Sequence, residues 1–140
     1  MNNPFEKIFP FPIVLGKFSL VGIFGILINQ GCLMVLYQCL HIDLKYASLA
    51  AIELSIIFNF LLNNFWTWSQ GLSTGLFQRF MKYHLVTIVS GSLNYAVLLL
   101  LTTAGVNYFP ANLLGIGLGM MINFTLNHNW TFKKMKKGVH

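Results

Sequence analysis

Asn59-Phe60-Leu61-Leu62-Asn63-Asn64-Phe65-Trp66-Thr67-Trp68 is written again as Asn123-Phe124-Thr125-Leu126-Asn127-His128-Asn129-Trp130-Thr131-Phe132, 64 residues on (123 − 59 = 64). Six of the ten positions are identical, and Asn and Trp, which an apolar composition does not favour, supply three of the six. Internal self-similarity sets architecture ahead of any local feature. Upstream of each copy the correspondence continues at an offset of 65: Lys17-Phe18 meets Lys82-Tyr83, Leu20-Val21 meets Leu85-Val86, and Asn29 meets Asn94. The chain reads as one unit of two apolar segments, copied once, with a one-residue change in a connector.

Composition names the solvent. Of 140 residues, 56% are hydrophobic and 9% charged, and Glu6, Asp43 and Glu53 are the only acids. A soluble domain would carry about 25% charged residues. A membrane-spanning helix needs about 20 mostly apolar residues, and four such runs stand at about 18–40, 46–66, 84–105 and 111–131. These predict an all-α membrane protein of four transmembrane helices, built from two tandem two-helix repeats in parallel orientation. Copying a two-helix unit preserves its direction, so the axis relating the halves should lie along the membrane normal. The expected layout is an interfacial N-terminal segment at 1–16, a transmembrane domain at 17–134 and a basic tail at 135–140. Repeat 1 covers about 17–68 and repeat 2 about 82–132. The prolines and phenylalanines of 1–16 suit a headgroup layer better than a continuous helix.

The apolar stretch after Lys17 exceeds 20 residues and no small-residue cleavage site follows it. A secretory h-region spans about 7–15, so a retained helix is expected. Cys32 and Cys39, seven apart on that helix, cannot bridge and read as packing residues. Eight of the nine Lys and Arg lie in the N-terminus, the middle loop and the tail; Lys45 is the exception. The positive-inside bias then places both termini and the middle loop in the cytoplasm. The lysine-rich tail suits anionic membrane lipid rather than nucleic acid.

On the even-numbered helices, Ala47, Ala51, Ser55, Asn59 and Asn63 step by four, as do Ala111, Gly115, Gly119, Asn123 and Asn127. Small residues at that spacing let helix backbones approach closely. The amides need partners, because an unpaired amide in hydrocarbon costs several kcal/mol. Asn59, Asn63, Asn123 and Asn127 therefore read as a polar cavity offering donors and acceptors to hydroxyls. Trp66 and Trp130, three residues past Asn63 and Asn127 and so roughly on their face, are interfacial anchors that also suit a sugar ring. Arg79, Lys82 and Lys17 enter their helices from the cytoplasmic side and are candidates for holding the phosphate of a lipid carrier, or headgroups alone. Asn29, Asn94, Glu53 and His128 form a candidate polar path. Glu53 is the one acid inside a predicted span. His128 stands where the first copy has Asn64, as a hydrogen-bonding replacement rather than a metal ligand. No Ser-His-acid set, glycine-rich phosphate loop, acid pair or metal-ligand spacing is present, so neither an enzyme nor a cofactor is expected.

Four stretches resemble the GtrA-like family of small four-helix membrane proteins of bacterial cell-surface polysaccharide glycosylation. They are Lys17-Phe18-x-Leu20-Val21-Gly22, Phe58-Asn59-Phe60-x-x-Asn63-x-x-Trp66-Thr67-Trp68, Arg79-Phe80-x-x-Tyr83, and Asn123-Phe124-x-x-Asn127-x-x-Trp130-Thr131-Phe132-Lys133. The family often has a basic residue after the first amide motif; here Asn64-Phe65 and His128-Asn129 occupy those places. The resemblance implies a flippase moving a polyprenyl-phosphate-linked sugar, such as undecaprenyl-phosphate glucose, from the cytoplasmic to the outer leaflet of the inner membrane. Membrane glycosyltransferases would act on either side of it. Four helices enclose little volume, so a homo-oligomer is also expected. Two alternatives stay open: a proton-coupled small-solute exporter using Glu53, and a non-transporting scaffold for a glycosyltransferase.

Overall fold

The computed structural model describes residues 11–69 and 72–133, without the side chains of 108 and 109. The N-terminal residues 1–10 and the lysine tail lie outside the described residues. The chain divides into two compact units, Met1–Gln70 and Gly71–His140. In the first, helix α1 (Phe11–Met34) runs into a π-helical turn, Val35–Cys39, and helix α2 (Leu44–Leu62) into another, Asn63–Thr67. In the second, α3 (Leu76–Thr103) is followed by α4 (Tyr108–Leu126), which ends in the π turn Asn127–Thr131. Each unit is an antiparallel helix pair, since the start of one helix touches the end of the next.

Helices satisfy every backbone group internally, which hydrocarbon demands. Among the described residues three are long and apolar enough to cross a membrane: Phe11–Cys39 and Leu44–Thr67, each counted with its π turn, and Leu76–Thr103. The run at 111–131 forms α4 and its π turn, and α4 is as long as α2, 19 residues each. Large apolar side chains such as Ile26, Leu49, Leu54, Leu100 and Leu114 are exposed, as lipid-facing residues must be.

Each pair is held by a narrow stripe of buried residues. Val14, Phe18, Val21 and Gly25 recur on α1 at helical spacing, and Ala47, Ala51 and Phe60 are buried on α2. On α3 the stripe is Tyr83, Val86 and Ser90, and Ala111, Gly115, Gly119 and Phe124 are buried on α4. The four-residue ladder of small side chains is thus a packing seam, as its spacing predicted. A Cβ added to Gly25 would overlap the Asn59 amide, and one on Gly115 would meet the Asn94 side chain and lie 2.8 Å from its carbonyl oxygen.

One left-handed residue turns the connector within each helix pair. Gly105, at φ +87°, ends α3 in a Schellman motif: its N–H bonds Thr102 O (3.1 Å) and that of Val106 bonds Leu101 O (2.9 Å). His41, at φ +53°, takes the matching place after α1, and Asp43 then caps α2 by accepting from the Lys45 N–H at 2.9 Å.

Two expectations change here. Residues 11–16, assigned to an interfacial lead-in, are already helical, because Pro12 falls in the first turn of α1, where no intrahelical N–H is lost. The ends of α2 and α4 are π turns rather than continued α-helix: the N–H groups of Trp68 and Phe132 reach back five residues to Asn63 O and Asn127 O, both at 2.8 Å.

Candidate functional site

The π turns decide which side chains meet. A wider turn rotates each residue less than an α-helix does, so Trp66 and Trp130 leave the face of Asn63 and Asn127. The amides end up buried, at 1% and 0% exposure, and the indoles at the surface, at 41% and 43%. The sequence expectation of a shared amide and indole face is corrected on this point.

What each indole meets instead is a lysine of the neighbouring helix. In the first unit Lys17 Nζ lies 5.5 Å from the Trp66 ring centre and 3.5 Å from the Trp66 carbonyl oxygen, to which it donates. In the second, Lys82 Nζ lies 5.3 Å from the Trp130 ring centre. Such cation–π pairs contribute about 0.5–1 kcal/mol when exposed, and more when dry. The residue after each lysine adds a second clamp. Phe18 packs on Trp68 at 5.8 Å and Tyr83 on Phe132 at 6.0 Å. Neighbouring side chains thus pin the helix pair shut at this end while leaving a half-exposed indole beside an ammonium. An ammonium has three donors, so those not used within the protein can reach an anion.

Arg79 stands one turn before Lys82 on α3, partly buried, and its guanidinium donates to the Thr74 carbonyl. A guanidinium is a planar fork whose geometry suits phosphate. The first unit has Val14 at this place (79 − 65 = 14), buried at 1% exposure, so the second unit alone carries the fork.

Asn123 and Asn127 form a chain within the second unit. Asn127 Nδ2 donates to Asn123 Oδ1 at 2.6 Å, and Asn123 Nδ2 donates to Ser90 Oγ at 2.9 Å. Ser90 Oγ in turn donates to Thr87 O at 3.1 Å. Across the first unit, half-buried Asn59 packs against Gly25, the counterpart of Ser90 (90 − 65 = 25). Of the four amides expected to meet hydroxyls, Asn59 and Asn123 keep some exposure, whereas Asn63 and Asn127 are buried in their own helix pairs. Thr67 and Thr131, buried in the π turns, accompany them, and neither hydroxyl makes a hydrogen bond among the described residues.

The expected polar path is distributed differently. Asn29 is half-buried, Asn94 is half-buried against Gly115, and Glu53 is exposed on α2 rather than interior. His128 is half-buried and stacks on Phe124, ring centres 5.6 Å apart, so it does not reproduce the buried setting of Asn64. Among the described residues no cluster of three His, Cys, Asp or Glu could hold a metal. Ser90, Thr67 and Thr131 were missed by sequence reasoning. The offset of 65 that pairs Gly25 with Ser90 was the available signal for the first of them.

A family model described as GtrA/DPMS, transmembrane domain, matches residues 17–132. The chain is 36% identical over 116 residues to a dolichol-phosphate mannosyltransferase of Pyrococcus furiosus, covering 83% of this chain and 33% of that protein. It is 25% identical over 126 residues to the uncharacterized membrane protein YngA of Bacillus subtilis, covering 89% of this chain and 83% of YngA. The chain thus spans about a third of the length of the mannosyltransferase it matches.

Proposed function

The chain belongs to the GtrA/DPMS transmembrane-domain family, and from that premise we propose that it is a flippase for a polyprenyl-phosphate-linked sugar. It moves the headgroup from the cytoplasmic to the outer leaflet of a bacterial inner membrane, with both termini cytoplasmic and no bond chemistry of its own. In this reading α4 is a fourth crossing and the two helix pairs are copies of one unit. Membrane glycosyltransferases load the carrier on one side and use it on the other.

The observation that supports this best is the lysine set over a half-exposed indole in each unit, with Arg79 one turn from Lys82. A carrier headgroup joins a phosphate to a sugar ring, and these side chains offer one group for each part. Arg79 and Lys82 take the phosphate, with Lys17 as the equivalent cation in the first unit. Trp130 and Trp66 present apolar faces to the sugar. Asn63 and Asn127, being buried, hold the π turns that set the indoles outward. The polyprenyl tail stays in lipid, against the exposed apolar side chains.

A charge-assisted hydrogen bond contributes about 1.5–3 kcal/mol, so loss of one phosphate contact should weaken capture roughly 10- to 100-fold. The test uses purified protein in vesicles carrying polyprenyl-phosphate glucose, with sugar exposure followed by an impermeant diol oxidant. The native chain should speed exposure, and Lys82→Ala and Trp130→Ala should each slow it at least about tenfold. Native rates in well-inserted variants would refute the site. No acceleration by the native chain would refute translocation and favour a second reading, a membrane scaffold presenting a glycosyltransferase. That alternative is favoured by the Pyrococcus furiosus mannosyltransferase, in which the matched stretch is only 33% of a longer chain.

A further inference from the structure

At the other end of the first helix pair, Tyr37, Gln38, His41, Ile42, Asp43 and Leu44 line a concavity of about 670 Å³. From Lys17 to Gln38 the chain climbs 21 residues (38 − 17 = 21). At about 1.5 Å each that is roughly 30 Å, the thickness of a bilayer's hydrocarbon core. The concavity therefore sits on the membrane face opposite the Lys17–Trp66 pair.

Its chemistry is the inverse of that pair. The lining holds a phenol, an amide, an imidazole and a carboxylate, and neither Lys nor Arg. Asp43 uses one carboxylate oxygen to accept from the Lys45 N–H, which leaves the other as an acceptor for an incoming hydroxyl. Gln38 adds both a donor and an acceptor, and Ile42 and Leu44 give an apolar floor beside them. A phosphate would meet the Asp43 charge with no cation in the lining to offset it. A neutral group rich in hydroxyls meets no such penalty.

The connector also carries a side chain where none is needed for the turn. His41 adopts φ +53° at the place where the second unit uses Gly105, at φ +87° (105 − 41 = 64). Glycine takes that conformation without steric cost. The matching stretch of the second unit, 101–108, has no carboxylate or imidazole; Asn107 stands in place of Asp43 and Tyr108 in place of Leu44 (107 − 43 = 64, 108 − 44 = 64). The carboxylate and the imidazole belong to the first connector alone.

We propose that this concavity binds a neutral sugar headgroup, with Asp43 and Gln38 holding its hydroxyls and His41 closing one side. That the sugar arrives on a lipid carrier rests on the translocation reading above; recognition of hydroxyls does not. The two ends of the first unit would then suit different parts of one headgroup, phosphate and ring at the lysine end, ring alone here.

The test uses the full chain in nanodiscs with 13C-labelled histidine, the His41 resonance being assigned by its loss in His41→Gly. Methyl glycosides of glucose, galactose, mannose and N-acetylglucosamine are titrated, with glucose 1-phosphate as the anionic comparison. At least one glycoside should move the His41 signal saturably, and glucose 1-phosphate should move it less. Asp43→Asn keeps a capping side chain, so in Asp43→Asn with Gln38→Ala the fold should hold while affinity falls at least fivefold. A His41 signal unmoved by all four glycosides overturns the proposal, as does unchanged affinity in the double variant or tighter binding of the phosphate. Polyprenyl-phosphate glucose and bare polyprenyl phosphate, each placed in the nanodisc, separate the sources. A shift with the first alone supports a carrier-borne sugar. A shift with free glycosides only supports a free-sugar site and overturns its link to translocation. Because the His41 signal needs no transport, a failed flipping assay leaves this result standing.

Discussion

Gly25→Ala should destabilise the first helix pair, and the structure says how much. An added Cβ would lie 2.6 Å from Asn59 Cγ and closer still to both amide heteroatoms. Such overlap is relieved only by moving Asn59 or separating the helices, and overpacking of this kind costs about 1–3 kcal/mol. A correction applies in the opposite direction, since alanine is favoured over glycine within a helix by about 0.5–1 kcal/mol. Gly16 and Gly22 lie on the same helix with nothing within 4 Å of an added Cβ, so Gly16→Ala and Gly22→Ala measure that correction in place. The expected difference between Gly25→Ala and Gly22→Ala is therefore about 1–3 kcal/mol, or roughly 5- to 150-fold in the unfolding equilibrium. Reversible unfolding in mixed micelles reads it directly. Asn59→Ala made together with Gly25→Ala should restore most of the loss, because the clash disappears with the amide. Equal stabilities of Gly25→Ala and Gly22→Ala, or strict additivity of the Gly25 and Asn59 changes, would refute the contact.

Ser90→Ala removes the hydroxyl that accepts from Asn123, and should cost about 0.6 kcal/mol, at most about 1.7, since membrane helix hydrogen bonds are of that size. The same unfolding assay checks it, and a larger loss would mean the Asn127–Asn123–Ser90 chain acts as one unit. Gly105→Ala forces a Cβ into the left-handed region and should destabilise by about 1–2 kcal/mol. Gly117→Ala, with nothing within 4 Å of an added Cβ, is its control.

Element positions were legible because hydropathy follows from solvent. A backbone in hydrocarbon must form helix, so the run at 46–66 had to become α2 and its extension, Leu44–Thr67. The seam of Ala47, Ala51, Ala111, Gly115 and Gly119 was legible because close approach needs small side chains at every turn. The π turns were not. Moving a hydrogen bond from four residues back to five changes no composition and no hydrophobic period, yet it sends Trp66 outward and keeps Asn63 in. Placing both on one face assumed α geometry throughout. The lysine and indole pairs were hidden for a different reason. Lys17 and Trp66 are 49 residues apart, and only the antiparallel packing of α1 on α2 brings them together. Glu53 was singled out by rarity, but rarity says nothing about which face of a helix packs, and its side chain is exposed.

On the proposed duplication, the places where the copies agree and differ fall into two classes. The shared positions are those that close a helix pair: Lys17 and Lys82 over their indoles, Phe18 and Tyr83 on Trp68 and Phe132, Ala47 and Ala111 in the seam. Among the many positions that differ, three carry chemistry. Val14 corresponds to Arg79 in the repeat, Gly25 to Ser90, and His41 to Gly105. A buried valine cannot hold an anion, and a glycine cannot anchor Asn59 as Ser90 anchors Asn123. Other differences, such as Phe24 against Val89 and Ile26 against Gly91, lie on the exposed apolar surface, where most substitutions cost little. On the proposed function, the differences at a guanidinium, a hydroxyl and an imidazole would give the second copy the stronger phosphate end and the first copy the polar connector. On the proposed function and the proposed sugar site, a lysine end that takes phosphate and a connector that takes hydroxyls would differ in affinity for the same headgroup. Weaker phosphate binding at the connector end would favour release of the headgroup there.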